Sequence, residues 1–173
     1  MFIDCISKDP KILDITNTNF TRNVGVTNGA LMLWGGEQHM SHIYVDNCQS
    51  TKSLAAICTS SYATATIDSS TIVNCTSNYR GSALSSFTIG TKLKVTNTKL
   101  LNNDLGKANF ATFYTRNDQI KIDFIDCVIE CKNFENQFGE KKKMKFLVLT
   151  NVKVIERGNN QTVINTNGMA TNK

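Results

Sequence analysis

His39 and His42 are the only histidines of the chain, and Glu37 stands two residues before the first of them. Imidazoles three apart, with a carboxylate nearby, are the donor types that zinc takes when a helix holds both rings on one face. The segment Gly35-Gly36-Glu37-Gln38-His39-Met40-Ser41-His42 has no helical period and no further ligand close by. It reads as a solvated loop, and neither a metal nor a cofactor is expected. A second concentration of chemistry is Glu140-Lys141-Lys142-Lys143-Met144-Lys145, flanked by Phe134, Phe138 and Phe146. Lys141, Lys142, Lys143 and Lys145 are candidate contacts for an acidic glycan, and the net charge of +5 adds to the attraction. The alternative is a solvated run in which lysines guard the apolar stretch Phe146-Leu147-Val148-Leu149 against aggregation. Trp34 and Tyr114 fall at strand ends and are candidate platforms for sugar rings, with stacked filling of the interior as the alternative. No nucleic-acid partner is expected.

Acid–base cleavage of a polysaccharide needs carboxylates gathered at one place, with Arg or Lys beside them. The exposed parts of the strands that contain Trp34 and Tyr114 are read as Met32, Trp34, Ser60, Ser61, Ser85, Ser86, Thr112 and Tyr114, a set without paired acids. No catalytic residue is therefore assigned.

Six cysteines occur. Cys48 and Cys127 are read into the same inward slot of the repeat described below, three coil steps apart. At ~4.8 Å per step the separation is ~14 Å, beyond the ~7 Å reach of a disulfide. The cysteines are taken as free, small core residues. Three Asn-x-Thr sequons, at Asn19, Asn74 and Asn160, are glycosylation candidates and lean the setting towards the cell surface or the extracellular space. The start, Met1-Phe2-Ile3-Asp4-Cys5, has no basic, apolar leader, and no run nears the ~20 apolar residues that span a bilayer.

What must position these groups is a repeat. Two apolar residues one position apart recur as Leu13/Ile15, Ile43/Val45, Ala65/Ile67, Leu93/Val95, Ile122/Phe124 and Leu147/Leu149. Each pair leads to Thr18, Cys48, Ser70, Thr98, Cys127 or Val152, at steps of 30, 22, 28, 29 and 25 residues. Alternate strand residues face opposite sides, and the apolar phase slips by one within every unit. Both halves face one core only if the chain turns between them. Asn17, Asn47, Ser69, Asn97, Asp126 and Asn151 stand at the slip, and Asn and Asp tolerate the left-handed backbone of a tight corner. Past the corner, Phe20, Ser50, Ile72, Leu100, Ile129 and Val154 are expected to line the core. A third strand follows in several units, among them Gly29-Ala30-Leu31-Met32-Leu33. Inward Ser50 and Ala65 make the second and third coils the thinnest, hence the least stable.

The expected fold is all-β: a right-handed parallel β-helix, a single-stranded solenoid of about six coils of 22–30 residues. It would span 1–165 as one domain, with a disordered polar tail at 166–173 and further coils in a longer protein. Asn17-Thr18-Asn19-Phe20-Thr21-Arg22-Asn23 with Gly29-Ala30, echoed in Asn97-Thr98-Lys99-Leu100-Leu101-Asn102-Asn103, resembles the repeats of polymorphic outer-membrane proteins. Those repeats belong to the pectin-lyase-like superfamily, whose scaffold carries lyases, hydrolases, adhesins and inert stalks. The resemblance implies a surface or secreted segment acting as stalk, adhesin or binding face for a polysaccharide or surface protein. A divergent polysaccharide lyase or glycoside hydrolase is the alternative.

Overall fold

The computed structural model describes residues 2–4, 12–52, 56–79, 81–88, 90–103, 112–115, 120–132, 137, 147–157 and 162–164, with backbone only at 2–4 and 162–164. Every regular element among them is a β-strand. In chain order the first turn holds β1 (Phe2–Asp4), β2 (Ile12–Thr16), β3 (Asn19–Thr21) and β4 (Val24–Gly25). The second holds β5 (Leu31–Trp34), β6 (Glu37–Ser41), β7 (Tyr44–Asp46) and β8 (Gln49–Ser50). The third holds β9 (Ile57–Ser60), β10 (Thr64–Asp68), β11 (Thr71–Val73) and β12 (Thr76–Ser77). Then come β13 (Leu84–Ser86), β14 (Lys92–Thr96) and β15 (Lys99–Leu101), followed by β16 (Phe113–Thr115), β17 (Lys121–Ile125) and β18 (Val128–Cys131). The last turn contributes β19 (Leu147–Thr150), β20 (Val152–Glu156) and β21 (Thr162–Ile164).

Like strands of successive turns pair in parallel and build three walls of a β-solenoid. The first wall runs β2-β6-β10-β14-β17-β19, the second β3-β7-β11-β15-β18-β20, and the third β1-β5-β9-β13-β16. A narrow strip, β4-β8-β12, adds a fourth side to the first three turns. Four turns, from β5 to β18, have all three walls described down to side chains; the expected six full coils are thus about four, flanked by partial ones. At the far end β21 pairs antiparallel with β20 and covers the last edge of the second wall.

The register corrects one unit of the sequence reading. The inner row of the first wall is Leu13, Gln38, Ala65, Leu93, Ile122 and Leu147, beside Ile15, Met40, Ile67, Val95, Phe124 and Leu149. Ile43 and Val45 are therefore not the second turn's first-wall pair. Val45 belongs to the second wall, level with Phe20, Ile72, Leu100, Ile129 and Val154. Ser50 sits on the short strip, level with Gly25 and Ser77. Polar Gln38 hid the true pair: its side chain is fully buried and donates from Nε2 to the Gly35 carbonyl at 2.7 Å. With that unit moved, the steps along the row become 25, 27, 28, 29 and 25 residues.

The corners follow from backbone chemistry. Asn17, His42, Ser69, Asn97, Asp126 and Asn151, between the first and second walls, all have φ between 48° and 53°. The amide of each, from Asn17 to Asp126, donates to a carbonyl one turn on, as from Asn17 to Ser41 and from His42 to Asp68. Asn47 also has positive φ, at 52°, but lies on a second column with Arg22, Asn74 and Asn102, where the second wall ends. His42 takes its place in the first column.

A left-handed corner turns the next amide inward, where it needs an acceptor. Ser70 Oγ accepts from the Ile43 amide at 3.1 Å, and Thr98 Oγ1 from the Ser70 amide at 3.4 Å. The same hydroxyls donate back across their own corners, to the carbonyls of Asp68 and Thr96. Small Ser, Thr or Cys after a corner is thus a hydrogen-bonding device as much as a filler. The core proper is aliphatic, with Phe113 and Phe124 meeting edge-on at 6.4 Å.

Candidate functional site

Period-two alternation leaves the first wall with one buried face and one facing solvent. Three outward rows run along it at coil spacing. They are Ile12, Glu37, Thr64, Lys92 and Lys121; Asp14, His39, Thr66, Lys94, Asp123 and Val148; and Thr16, Ser41, Asp68, Thr96, Ile125 and Thr150. The wall is a broad sheet of carboxylates, hydroxyls, one imidazole and lysines interrupted by Ile12, Ile125 and Val148, with its described lysines on the fourth and fifth turns.

Two hydrogen-bonded groups stand on it. His39 is in strand β6, not in a loop as its sequence suggested, and it joins two neighbours. Its Nδ1 lies 2.9 Å from Thr66 Oγ1 one turn on, and its Nε2 lies 3.2 Å from Glu37 Oε1. Carboxylate, imidazole and hydroxyl in that order form the connectivity of a nucleophile relay. Here the side chains of His39 and Glu37 are 39% and 50% exposed, so water competes with both contacts. His42 stands at the corner after β6, outside this chain of contacts. Among the described residues no three His, Cys, Asp or Glu side chains gather as a metal site.

The second group centres on Asp68. Thr96 Oγ1, Ser69 Oγ and Asn97 Nδ2 all donate to its carboxylate, the last two at 2.8 and 3.1 Å. The Thr96 hydroxyl first, then Ser69 and Asn97, hold the carboxyl below its usual range. Asn151 likewise donates to Asp126 at 2.6 Å, so corner residues bind one another outside the solenoid as well as through the backbone. At the basic end Lys121 approaches Asp123 at 3.5 Å, while Lys92 and Lys94 make no ion pair among the described residues.

The sequence-derived binding residues are not gathered at this wall. Trp34 ends β5 on the third wall and is half-buried. Tyr114, in β16, is only 5% exposed and its ring tilts against Phe87 at 5.9 Å, which leaves no open face for a sugar. The third wall as a whole departs from expectation: Ser60, Ser85, Ser86 and Thr112, read as exposed, are all buried. Ser86 faces inward by alternation from Leu84, and the outward neighbours Cys58, Ser85 and Tyr114 are covered too. The open aromatics are instead Tyr44, Tyr62 and Tyr79. Tyr62 owes its position to Gly90, whose missing side chain leaves room for the ring; a Cβ there would lie 2.6 Å from Tyr62 Cδ1. Lys141, Lys142, Lys143, Lys145 and Asn160 lie outside the described residues, as does the tail 166–173. Asn19 is exposed on β3, whereas the Asn74 amide is engaged with Asp46 Oδ1 at 3.3 Å.

Sequence reasoning missed the lysines of β14 and β17. The signal was present, since Lys92, Lys94 and Lys121 alternate with the very residues that mark the wall's core face. No helix among the described residues is long and apolar enough to cross a membrane. A scan of protein-family models, a search of curated proteins and a search of solved structures each found nothing that matches this chain.

Proposed function

We propose that the chain is a non-catalytic β-solenoid segment of a surface or secreted protein, whose first wall binds an extended acidic polysaccharide. The observation that carries this reading is the lysine end of the wall: Lys92 and Lys121 stand level on adjacent strands, with Lys94 on the same face. Stacked strands repeat at ~4.8 Å, comparable with the length of one sugar residue, so successive acidic sugars would meet successive turns. The neighbouring Thr64, Thr66 and Thr96 hydroxyls supply sugar-compatible hydrogen bonds between the charges. An exposed Asn19 sequon and the likeness of Asn17–Asn23 with Gly29-Ala30 to polymorphic outer-membrane-protein repeats support the surface setting and the right-handed pectin-lyase-like lineage.

Arrayed pectin, alginate and chondroitin provide the test. Binding should occur without turnover, weaken with added salt, and fall at least tenfold in a K92Q/K94Q/K121Q variant. Binding that ignores both the salt and the triple substitution would remove the proposal. A second reading, a carbohydrate-active enzyme, draws on the Glu37–His39–Thr66 chain alone. It requires product release from the same polymers that disappears in T66A, a substitution that leaves the lysines in place.

A further inference from the structure

The second corner column ends in a slot filled by Asn23, Cys48, Cys75 and Asn103 on four successive turns. Register fixes this: Asn47 and Asn74, the residues before the two cysteines, are successive corners, and the Thr76 amide donates to the Cys48 carbonyl at 3.0 Å. Cys48 and Cys75 are therefore stacked neighbours, whereas Cys127, which the sequence put level with Cys48, stands between Thr98 and Val152 in a different column. Both thiols are free and fully buried. Each reaches back across its corner, Cys48 Sγ to the Asp46 carbonyl at 3.5 Å and Cys75 Sγ to the Val73 carbonyl at 3.3 Å, so the two sulfurs take the same direction from adjacent rungs.

We propose that Cys48 and Cys75 form a peroxide-oxidisable pair that closes to a disulfide between the second and third turns. Stacked Cα atoms ~4.8 Å apart fall inside the ~4.4–6.8 Å range of natural disulfides, and the Cβ atoms need drawing in by about 0.3–1 Å. The chemistry has an order. The Cys48 thiolate attacks hydrogen peroxide, breaks the O–O bond and becomes a sulfenic acid, releasing hydroxide. The Cys75 sulfur then attacks the Cys48 sulfur; the S–O bond breaks, and the Cys75 proton leaves with the departing oxygen as water. Two thiols and one peroxide thus give one disulfide and two waters.

Cys48 is the member suited to attack first. A hydrogen bond from Cys75, the largest influence, together with those from Asn23, brings its thiol down to about 7, while Cys75 is pushed up by giving that bond and by burial. Cys58 and Cys127 are shifted the other way from Cys48. Burial pushes Cys58 up to about 12 and raises Cys127 too. Gly29 is buried directly against Cys48, where a Cβ would sit 3.2 Å from Cys48 Cβ, so peroxide reaches the thiol by local opening. The slot borders the strip of two-residue strands, which opens by breaking few hydrogen bonds.

The full chain, purified reduced and then treated with hydrogen peroxide, should lose two hydrogens in intact mass. Non-reducing peptide mapping should show one cross-linked pair, Cys48–Cys75, with Cys5, Cys58, Cys127 and Cys131 still alkylatable after unfolding. In C75S a sulfenic acid should be trapped by dimedone at Cys48; in C48S neither adduct nor cross-link should form. The oxidised chain should melt several degrees higher than the reduced one, because the bond closes a loop through a whole turn. Two intact thiols after a peroxide dose that fully oxidises a free cysteine peptide would overturn the proposal. So would a cross-link to any other cysteine, or dimedone labelling of C75S elsewhere than Cys48.

Discussion

At His42 the backbone sits at φ 53°, a conformation that costs most L-residues about 1 kcal/mol and asparagine less. Four of its five column-mates are Asn or Asp. Replacing His42 with asparagine should therefore stabilise the fold by roughly 0.5–1 kcal/mol, read as a higher urea midpoint at unchanged slope. The asparagine bends were legible in the sequence because the side chain and the conformation go together. Which column each asparagine joins was not legible, since Asn47 satisfies the same local preference as His42. Asp68 gives a second test at this scale. Its folded carboxyl titrates below the unfolded value, so its contribution is complete above the unfolded value of about 4 and is lost as pH falls through the depressed one. Wild type should lose stability across that acid window more steeply than D68N, whose midpoint should change less between pH 5 and pH 2. Equal slopes would mean that the Thr96, Ser69 and Asn97 contacts contribute nothing in solution.

The strands themselves owe little to any one residue and much to the level at which each meets its neighbour. Period-two alternation announced the first and second walls in every turn but the second, where a buried amide interrupts the aliphatic row. Gln38 fits because the glycine corner before it presents a carbonyl to its Nε2. No count of apolar spacing finds such an arrangement, because the partner is backbone. The third wall was legible as strand and misread as surface: Ser60, Ser85 and Thr112 are small and polar, yet covered. Between walls, the aromatic contact of Phe113 on β16 with Phe124 on β17 joins the third wall to the first within one turn. Phe124→Ala should cost about 3–5 kcal/mol, the usual range for an aromatic deleted from a closed core, and Phe124→Leu markedly less. Chemical denaturation of both variants checks the order; equal losses would show that volume at this place is not what matters.

For the whole molecule, stability is a sum over turns and the contacts between neighbouring turns, so it need not be uniform. Level for level, the third turn offers the core Ala65, Ile67, Ser70 and Ile72, where the fifth offers Ile122, Phe124, Cys127 and Ile129. Amides of β10 and β11 should accordingly exchange with deuterium sooner than those of β17 and β18, although both sets lie inside the solenoid. Uniform protection across the four strands would contradict a thin middle. The overall architecture was readable from one sequence because every turn repeats the same sentence of strand, bend and strand. The outward face of the first wall was harder to read, because its residues carry no constraint from the core.

The level stacking of the walls has one consequence for how such a chain can change. Ala65 and Leu93 occupy the same rung position on adjacent turns, as do Thr66 and Lys94. Excising Thr66 through Leu93 would join Ala65 to Lys94 and hand every later residue to the seat one storey down, with no side chain reversed. The polypeptide can shorten or lengthen by whole cassettes, and its length along the axis is set by how many it strings together.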